Sequence, residues 1–511
     1  TEADAPLTLE EIEVEIETAS DAKHAQSLGD QAAQLGGQSL AFQCYERTVS
    51  LDRGCGHAYL EMGLRLGQAA QYEDAFLCLK EAERAGVLND ATTRLLQGLD
   101  SNPELNSEVV ALYRARSGAA GYETTQRPRR ILVFTNILPP QEMGGFGRSV
   151  WELCEGLILR GHTVRVLTAD MPELEQEPYP NHSLVEQHVK RNLRLFGDWK
   201  EGAARAMEGM AQIKEIAVHN VRTIFQEVKV FQPDICMAGN LDFLSGAMLD
   251  PILKQKIPIV HRLGNASPGF MVDATPKSDL YCIAGCSNWV NEELMRNGYG
   301  AKNFALLPPG SPLQEYYRFV PPRLDRLRIC FAGLMMGYKG PHLILEALAL
   351  LKQLGVPFTC EFAGDFKDPV FERQFKALIA KHGLAGEVRL LGFCGRQQLG
   401  AMFDRSNVLV MPSIFEEPFG KVQIEAQAAG LTVVRSPVGG YQDMLQDEVN
   451  GLIFKREDAQ DLARQLYVLH GDPELWQQLG RQGQSDAFEY TTQRSVESLE
   501  AIMEEMLAKR G

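Results

Sequence analysis

From residue 131 onward, short apolar runs alternate with segments of helical periodicity, and one proline-rich passage at residues 306–322 interrupts this alternation. Runs typical of buried strands lie at residues 131–140, 233–239, 258–264 and 280–287 before the passage, and at 327–333, 358–365, 388–393, 407–413 and 432–437 after it. Strand–helix–strand units of this spacing build parallel sheets, with ligands at the carboxyl ends of the strands. The pattern therefore predicts an α/β chain with two doubly wound, Rossmann-like domains in series.

The first 125 residues lack such runs and show helical periodicity instead, with an internal repeat of 34 residues. The positions that repeat are Leu28, Gly29, Ala41, Tyr45 and Thr48, which correspond to Met62, Gly63, Ala75, Leu79 and Ala82. This period and its small and large residues are typical of tetratricopeptide helix pairs, which build binding surfaces. We expect an all-α tetratricopeptide-like domain that binds a protein partner or a large acceptor; the alternative is a generic helical bundle.

These patterns divide the chain into four parts. We predict a helical domain at residues 1–125, an N-terminal Rossmann-like domain at 126–318, a C-terminal Rossmann-like domain at 319–485 and a final helix at 486–511. The final helix carries its apolar residues on one stripe, formed by Val496, Leu499, Ile502, Met503 and Met506.

The charge and cysteine content restrict the partners and the compartment. The chain has 511 residues and a net charge of −16, which argues against nucleic acid as the main partner because a phosphate backbone requires a basic face. Its ten cysteines form no C-x-x-C pair, and no apolar run reaches the roughly 20 residues of a membrane span. The acidic first residues do not resemble a signal peptide. We expect a cytoplasmic chain with reduced thiols. The protein is expected either free in the cytoplasm or bound at the periphery of a membrane.

Residues 413–430 carry the most specific chemistry. Glu417 and Glu425 stand with seven residues between them, around Phe419 and Gly420, and a helical segment follows. A strand, a glycine turn and a helix start direct backbone N–H groups and the positive helix end at one spot, which suits phosphate. Ionised carboxylates accept hydrogen bonds from hydroxyls. A sugar nucleotide requires both features; the alternative is that the two glutamates are solvated and complement the helix dipole.

The same segment continues into "AAGLTVV" and "SPVGG", and residues 409–440 as a whole resemble the retaining glycosyltransferases of family four, which have the GT-B fold. The resemblance implies two Rossmann-like domains that face each other across a cleft, with the final helix packed back on the first. It implies transfer of a sugar, a hexose by expectation, from a nucleotide-diphosphate sugar to an acceptor hydroxyl. In that family Glu425 would hold the ribose and Glu417 the transferred sugar, while the backbone of Phe419 and Gly420 would face sugar and phosphate.

Residues 331–340, "FAGLMMGYKG", resemble the family segment F-x-G-R-L-x3-K-G, so Gly333 and Lys339 are expected at the donor. Lys339 corresponds to the lysine that pairs with the donor diphosphate, where its charge would stabilise the leaving group. Leu334 stands where the family usually has arginine, which removes one diphosphate contact. Lys421 is our candidate for the missing charge.

The first Rossmann-like domain contributes a glycine loop and one histidine. Gly144 and Gly145 follow its first strand, where the family loop approaches the donor phosphate and the acceptor. The family often has an active-site histidine at the position of Gly264. His261, three residues earlier, is a possible catalytic substitute, although a histidine in a strand is more often a core residue.

We expect no cofactor and no metal, because no D-x-D motif stands in a metal–nucleotide setting. The nucleotide sugar is a co-substrate, and the acceptor is a glycan, a lipid-linked sugar or a protein. Two alternatives remain open. One is a helical-repeat interaction protein with a degenerate transferase domain, and the other is a different GT-B enzyme such as a sugar-nucleotide epimerase.

Overall fold

A helical region, two parallel sheets with helices and a returning last helix follow one another in the computed structural model, which describes residues 7–115, 122–141, 146–175, 182–200, 203–207 and 209–510. The helical region is residues 7–115. Its helices are α1 (Leu9–Thr18), α2 (Ala22–Gln34), α3 (Gln38–Leu51), α4 (Gly56–Gln68), α5 (Tyr72–Arg84), α6 (Asp90–Asp100) and α7 (Glu108–Ala115). The predicted helical character of this part is confirmed.

The 34-residue repeat corresponds to a repeated contact between paired helices. A Cβ atom on Gly29 of α2 would lie 2.8 Å from the Tyr45 ring of α3. One on Gly63 of α4 would lie 2.9 Å from the Leu79 side chain of α5. Glycine therefore lets each pair approach closely at equivalent positions, with a large side chain of the second helix filling the gap.

The first sheet has strands in the order β3-β2-β1-β6-β7-β8-β9, all parallel. Strand β1 alternates between two cores: Ile131 and Val133 face one side and Leu132 and Phe134 the other, so both faces are covered. The elements are β1 (Arg130–Phe134), α8 (Phe146–Leu159), β2 (Thr163–Ala169), α9 (His182–Glu186), β3 (Val189–Leu193), β4 (Gly197–Lys200), β5 (Ala203–Ala206), α10 (Met210–Phe231), β6 (Ile235–Ala238), α11 (Asp250–Lys254), β7 (Ile259–Leu263), β8 (Tyr281–Gly285), α12 (Asn288–Arg296) and β9 (Asn303–Leu306). Strands β4 and β5 form a separate antiparallel pair.

The second sheet is also parallel, in the order β12-β11-β10-β13-β14-β15. Helix α15 of this domain begins at a side-chain cap: the Asp368 carboxylate accepts from the Val370 amide, and Pro369 occupies the first helical position. The elements are α13 (Leu313–Tyr316), β10 (Leu327–Ala332), α14 (Pro341–Gln353), β11 (Phe358–Ala363), α15 (Pro369–Lys381), β12 (Val388–Gly392), α16 (Arg396–Arg405), β13 (Val408–Met411), α17 (Lys421–Ala428), β14 (Thr432–Arg435), β15 (Leu452–Ile453), α18 (Ala459–Gly471) and α19 (Pro473–Ala487). The prediction of two Rossmann-like sheets in series is confirmed.

The chain passes between the two Rossmann-like domains twice, and backbone hydrogen bonds join the two crossing segments. The Ser311 amide donates to the Tyr490 carbonyl at 2.8 Å, and the Thr492 amide donates to the Ser311 carbonyl at 3.2 Å. The last helix, α20 (Thr492–Ala508), then buries Val496 and Met503 in the core that also holds Ile131 of β1. The final helix therefore belongs to the core of the first sheet.

The helical region is packed against the second Rossmann-like domain. The Arg53 guanidinium is buried and donates to the Ala429 carbonyl at 2.6 Å. The Tyr59 ring lies 5.8 Å from the Phe319 ring, and the Tyr113 ring lies 6.0 Å from the Tyr317 ring. These contacts join the helical region to the connection between the two sheets. Among the helices described, none has the length and apolar content needed to cross a membrane.

Candidate active site

The candidate site lies at the carboxyl ends of β10 and β13, where two loops meet. We name residues 412–420 the β13–α17 loop. The Ile414 amide of this loop donates to the Tyr338 carbonyl at 2.9 Å, and the Phe415 amide donates to the same oxygen at 3.3 Å. Tyr338 belongs to the turn Gly337–Lys339 that follows β10. The backbone thus holds the two sequence motifs side by side.

This arrangement brings Lys339 and Glu417 into direct contact. The Lys339 Nζ atom lies 2.5 Å from Glu417 Oε2, and the Ser413 hydroxyl donates to the same oxygen at 3.3 Å. The Phe415 ring centroid is 4.8 Å from Nζ, a cation–π distance. The two side chains are 19% and 16% exposed, so a ligand can reach both. A cation and a carboxylate at one spot can bind a phosphate and a hydroxyl respectively.

The loop after β14 closes over the β13–α17 loop. The Gly440 amide donates to the Glu417 carbonyl at 2.9 Å, and the Gly439 amide donates to Glu416 Oε2 at 2.6 Å. Arg456 contacts the other oxygen of Glu416 at 2.8 Å. Glu416 therefore holds the two loops together, while Glu417 faces Lys339.

Phe419 and Gly420 form the end of the β13–α17 loop. The Phe419 side chain is buried and packs edge-on against Tyr490 at 5.6 Å, so its ring anchors the loop. Gly333 follows β10 directly and is exposed, with its amide bonded to the Ala363 carbonyl at 3.0 Å. A Cβ atom on Gly420 would lie 3.8 Å from the Glu417 Cγ atom, so this glycine lies beside that side chain.

Glu425 has different surroundings from Glu417. Its side chain is buried on α17, and Oε1 accepts a hydrogen bond from the Ser311 hydroxyl at 3.1 Å. Burial raises the pKa of this carboxyl, although Lys421 and Arg148 act to lower it. Ser311 lies in the connection between the two domains, so Glu425 is placed at their junction.

Lys421 is occupied by a partner that the sequence did not indicate. Its Nζ atom pairs with Glu152 Oε2 of α8, and Arg396 Nη2 contacts Glu152 Oε1 at 2.9 Å. Arg396 also contacts Glu315 at 3.0 Å. Burial lowers the pKa of Lys421, and the Glu152 carboxylate opposes this effect. Glu152 thus bridges the first domain to two cations of the second, and nothing in its helical segment marks it in the sequence.

His261 is a buried residue of β7 with both ring nitrogens bonded. The Tyr281 hydroxyl lies 2.7 Å from Nδ1, and the Gly239 carbonyl lies 3.1 Å from Nε2. Because a carbonyl can only accept, Nε2 carries the proton. Desolvation lowers the pKa of His261 to about 3. These contacts favour the core interpretation of His261 over the catalytic one.

Gly264 stands where the resembled family often has a histidine, and the Phe146 ring of α8 fills the space beside it. A Cβ atom on Gly264 would lie 2.1 Å from the Phe146 ring, so a side chain there would require Phe146 to move. The Arg262 guanidinium stacks on the Phe146 ring, with its central carbon 4.6 Å from the ring centroid. Gly144 and Gly145 lie outside the described residues. Phe146 begins the helix that follows them, α8.

The residues described contain no group of three or more histidine, cysteine, aspartate or glutamate side chains arranged to hold a metal ion. The ten cysteines are unpaired, and eight of them are buried. The groups described at the site are the charged side chains, the hydroxyl of Ser413 and the loop backbone.

Residues 314–486 match the sequence model of the family described as "Glycosyl transferases group 1". An uncharacterized glycosyltransferase of Methanocaldococcus jannaschii is 25% identical over 341 residues, which are 63% of this chain and 84% of that protein. A D-inositol 3-phosphate glycosyltransferase of Streptomyces bingchenggensis is 32% identical over 211 residues. These are 37% of this chain, and the chain spans only 45% of the length of that relative.

Solved structures resemble the part of the chain that carries the two sheets. A glycosyltransferase from Rickettsia africae has a TM-score of 0.59 and 17% identity, over 75% of this chain and 99% of its own. Anabaena HepE, solved in complex with UDP and glucose, has a TM-score of 0.56 and 17% identity, over 74% of this chain and all of its own. The fold of the two sheet domains is therefore GT-B, as predicted.

Proposed function

We propose that this chain, with its GT-B fold and its match to the group 1 glycosyltransferases, is a retaining transferase. It moves a sugar, expected to be a hexose, from a nucleotide-diphosphate sugar to an acceptor hydroxyl. The observation that carries the proposal is the contact between Lys339 and Glu417, two accessible charged groups at the ends of β10 and β13. Ligands of doubly wound sheets bind at this edge of the sheet. The two alternatives drawn from the sequence are not favoured by the comparisons.

In this proposal the donor lies along the second domain, with each of its parts opposite a group of fitting chemistry. Its diphosphate takes the place of Glu417 as the partner of Lys339, because phosphate is the stronger anion for an ammonium group. Glu417 is then released to accept hydrogen bonds from the hydroxyls of the sugar. Ser311 occupies one oxygen of Glu425, and the ribose hydroxyls bind the other.

The chemistry needs no attacking carboxylate. The bond between the anomeric carbon and the diphosphate oxygen breaks, and Lys339 stabilises the negative charge that develops on the leaving group. The acceptor oxygen bonds to the anomeric carbon on the same face, and its proton goes to the departing phosphate. This route matches a site with cations and hydroxyl-binding groups, and it uses no metal.

Because Leu334 stands where the family usually has arginine, Lys339 makes a larger share of the contacts with the charged diphosphate. Lys421 becomes a second phosphate ligand only if the donor displaces Glu152, since the two are paired here. We propose that the acceptor is a glycan, a lipid-linked sugar or a protein. We further propose that the helical region is tetratricopeptide-like and contributes to its recognition, and that the protein acts in the cytoplasm.

A thermal-shift screen with nucleoside diphosphates and their sugars tests this proposal. One nucleotide and its sugar conjugate should raise the melting temperature, because a ligand that binds only the folded state stabilises it by mass action. The same conjugate should be hydrolysed or transferred. If no nucleotide sugar shifts the melting temperature of the wild-type protein, the transferase proposal is wrong.

A further inference from the structure

A cavity of about 600 Å³ lies between the helical region and the second Rossmann-like domain. Its walls are the turn between α3 and α4 at residues 50–54, the amino ends of β10 and β11, and the segments around residues 386–389 and 404–406. The candidate active site follows the carboxyl ends of β10 and β13, and strands of six residues span about 20 Å. The cavity is thus separate from that site, and its volume lies in the range of small-molecule sites.

Arginine side chains dominate the charge of this cavity. The residues lining it include Arg53, Arg323, Arg326, Arg328, Arg389 and Arg405. Two carboxylates near them are each shared by two guanidinium groups. Asp325 contacts Arg323 at 3.1 Å and Arg328 at 2.8 Å. Glu361 contacts Arg389 at 3.0 Å and Arg405 at 2.9 Å.

The remaining acidic groups of the lining have other partners. Glu387 contacts Lys352 at 2.8 Å, and Asp404 contacts Arg318 at 2.7 Å. The carboxylate of Asp52 accepts a hydrogen bond from the Gly54 amide at 2.9 Å. Lys352 and Arg318 are outside the lining, so these acids do not neutralise its arginines fully.

Two of the arginines have unused hydrogen-bond donors. Arg53 is buried, and its Nε and Nη1 atoms have no hydrogen-bond partner among the residues that the structure describes. Arg326 is exposed at the cavity and forms no ion pair with any residue that the structure describes. The lining therefore carries a surplus of positive charge, in a chain whose net charge is −16.

We propose that this cavity binds a small phosphorylated molecule. The guanidinium fork donates two parallel hydrogen bonds to phosphate oxygens, and a concave surface concentrates the field of its charges. Phosphate supplies more negative charge per group than a carboxylate, which matches the surplus of arginine. The site is independent of the proposed donor site, because the two lie at opposite edges of the second sheet.

Inorganic pyrophosphate is a suitable probe, with calorimetric titration of the full chain as the measurement. The parent protein carries Lys339→Ala, so that pyrophosphate does not bind through the proposed donor site. We expect this parent to bind pyrophosphate, and the addition of Arg326→Ala and Arg389→Ala to weaken binding by at least about tenfold. The matched control is Arg464→Ala, which removes an exposed arginine on α18 with a side chain 61% exposed and should leave the affinity unchanged.

The proposal is overturned if the parent does not bind pyrophosphate, or if the Arg326→Ala and Arg389→Ala protein binds it as well as the parent does. Succinate should bind at least about tenfold more weakly than pyrophosphate, and equal affinities would contradict a phosphate site. Circular dichroism and melting temperatures establish that each variant is folded. If Arg389→Ala disturbs folding, Arg326→Ala alone should still weaken binding, because that side chain is exposed and forms no ion pair with the residues that the structure describes.

Discussion

At the scale of single residues, the two glutamates of the E-x7-E pattern differ in environment. Glu417 is accessible and paired with Lys339, whereas Glu425 is buried and bonded to Ser311. Burial raises the pKa of Glu425, whereas the Glu417 carboxylate forms an ion pair with Lys339 at 2.5 Å. The same residue type is therefore suited to different parts of a ligand, and the roles can be separated by substitution.

We predict that Lys339→Ala lowers kcat by roughly 10²–10³-fold, as is typical when one group that stabilises developing charge is removed. Affinity for the nucleoside part should change less, because the lysine acts on the departing diphosphate. Steady-state kinetics and titration with the nucleoside measure the two effects. Lys376→Ala, which removes an exposed lysine on α15, is the control. Equal losses in kcat and nucleoside affinity would rule out the leaving-group role.

We predict that Glu425→Ala weakens binding of the nucleotide sugar by about 1.5–3 kcal/mol, since the ribose hydroxyls lose a charged acceptor. Calorimetric titration measures the change. Glu474→Ala serves as the control, because Glu474 is an exposed residue of α19 that belongs to neither loop of the site. Donor affinity that is the same in Glu425→Ala and wild type would remove the ribose role.

At the scale of elements, the short helix α17 is held at both ends by other parts of the chain. Lys421 in its first turn pairs with Glu152 of α8. At the other end the Ala428 carbonyl accepts from the Gln484 side chain at 2.9 Å, and the Ala429 carbonyl accepts from Arg53 at 2.6 Å. A helix of eight residues is marginal on its own, so these contacts orient Glu425.

We predict that Glu152→Ala destabilises the protein by about 3–5 kcal/mol, because Lys421 and Arg396 would be left buried without their shared carboxylate. The side chains of Glu152, Lys421 and Arg396 are 6%, 15% and 17% exposed, so water does not screen them strongly. Denaturant unfolding measures the loss. Glu497→Ala on α20 is a control at a surface position. Stability equal to wild type would show that the Glu152 bridge contributes nothing to the junction.

At the scale of the whole molecule, the helical region is part of one packed body with the second domain. Arg53, Tyr59 and Tyr113 are buried against residues of that domain or of the connection that leads into it. The expectation that the region recognises an acceptor or a partner stays a prediction. Because deletion of the region would also remove its contacts with α17, a recognition role is best tested by substituting exposed side chains of the region.

We predict that deletion of residues 1–115 lowers the melting temperature and weakens donor binding, since it exposes the Phe319 and Tyr317 rings and removes the Arg53 contact at the end of α17. Circular dichroism during heating and donor titration measure the two effects. Tyr72→Ala, a substitution at a half-exposed position of the same region, should leave both unchanged. A truncated protein as stable as the full chain, with the same donor affinity, would contradict this prediction.

The sequence by itself determined the architecture and the motifs that follow β10 and β13. Periodicity and turn residues act locally, so the runs from residue 131 predict two parallel sheets, and the 34-residue repeat predicts helices whose contacts recur at Gly29 and Gly63. Strand ends that carry motifs meet at one edge of a parallel sheet. For this reason the proximity of the Lys339 and Glu417 segments follows from their positions after two strands.

The tertiary structure alone decided which side chains meet across distant parts of the chain. Glu152 lies 269 residues from Lys421, and Arg53 lies 376 residues from Ala429. No local pattern encodes such pairs, because they depend on how the domains and the helical region pack. The same is true of His261, whose two hydrogen-bond partners lie on β8 and directly after β6, and of Phe146, which fills the space beside Gly264. The arginine cavity likewise exists only where the helical region meets the amino edge of the second sheet, since its charges come from segments far apart in sequence.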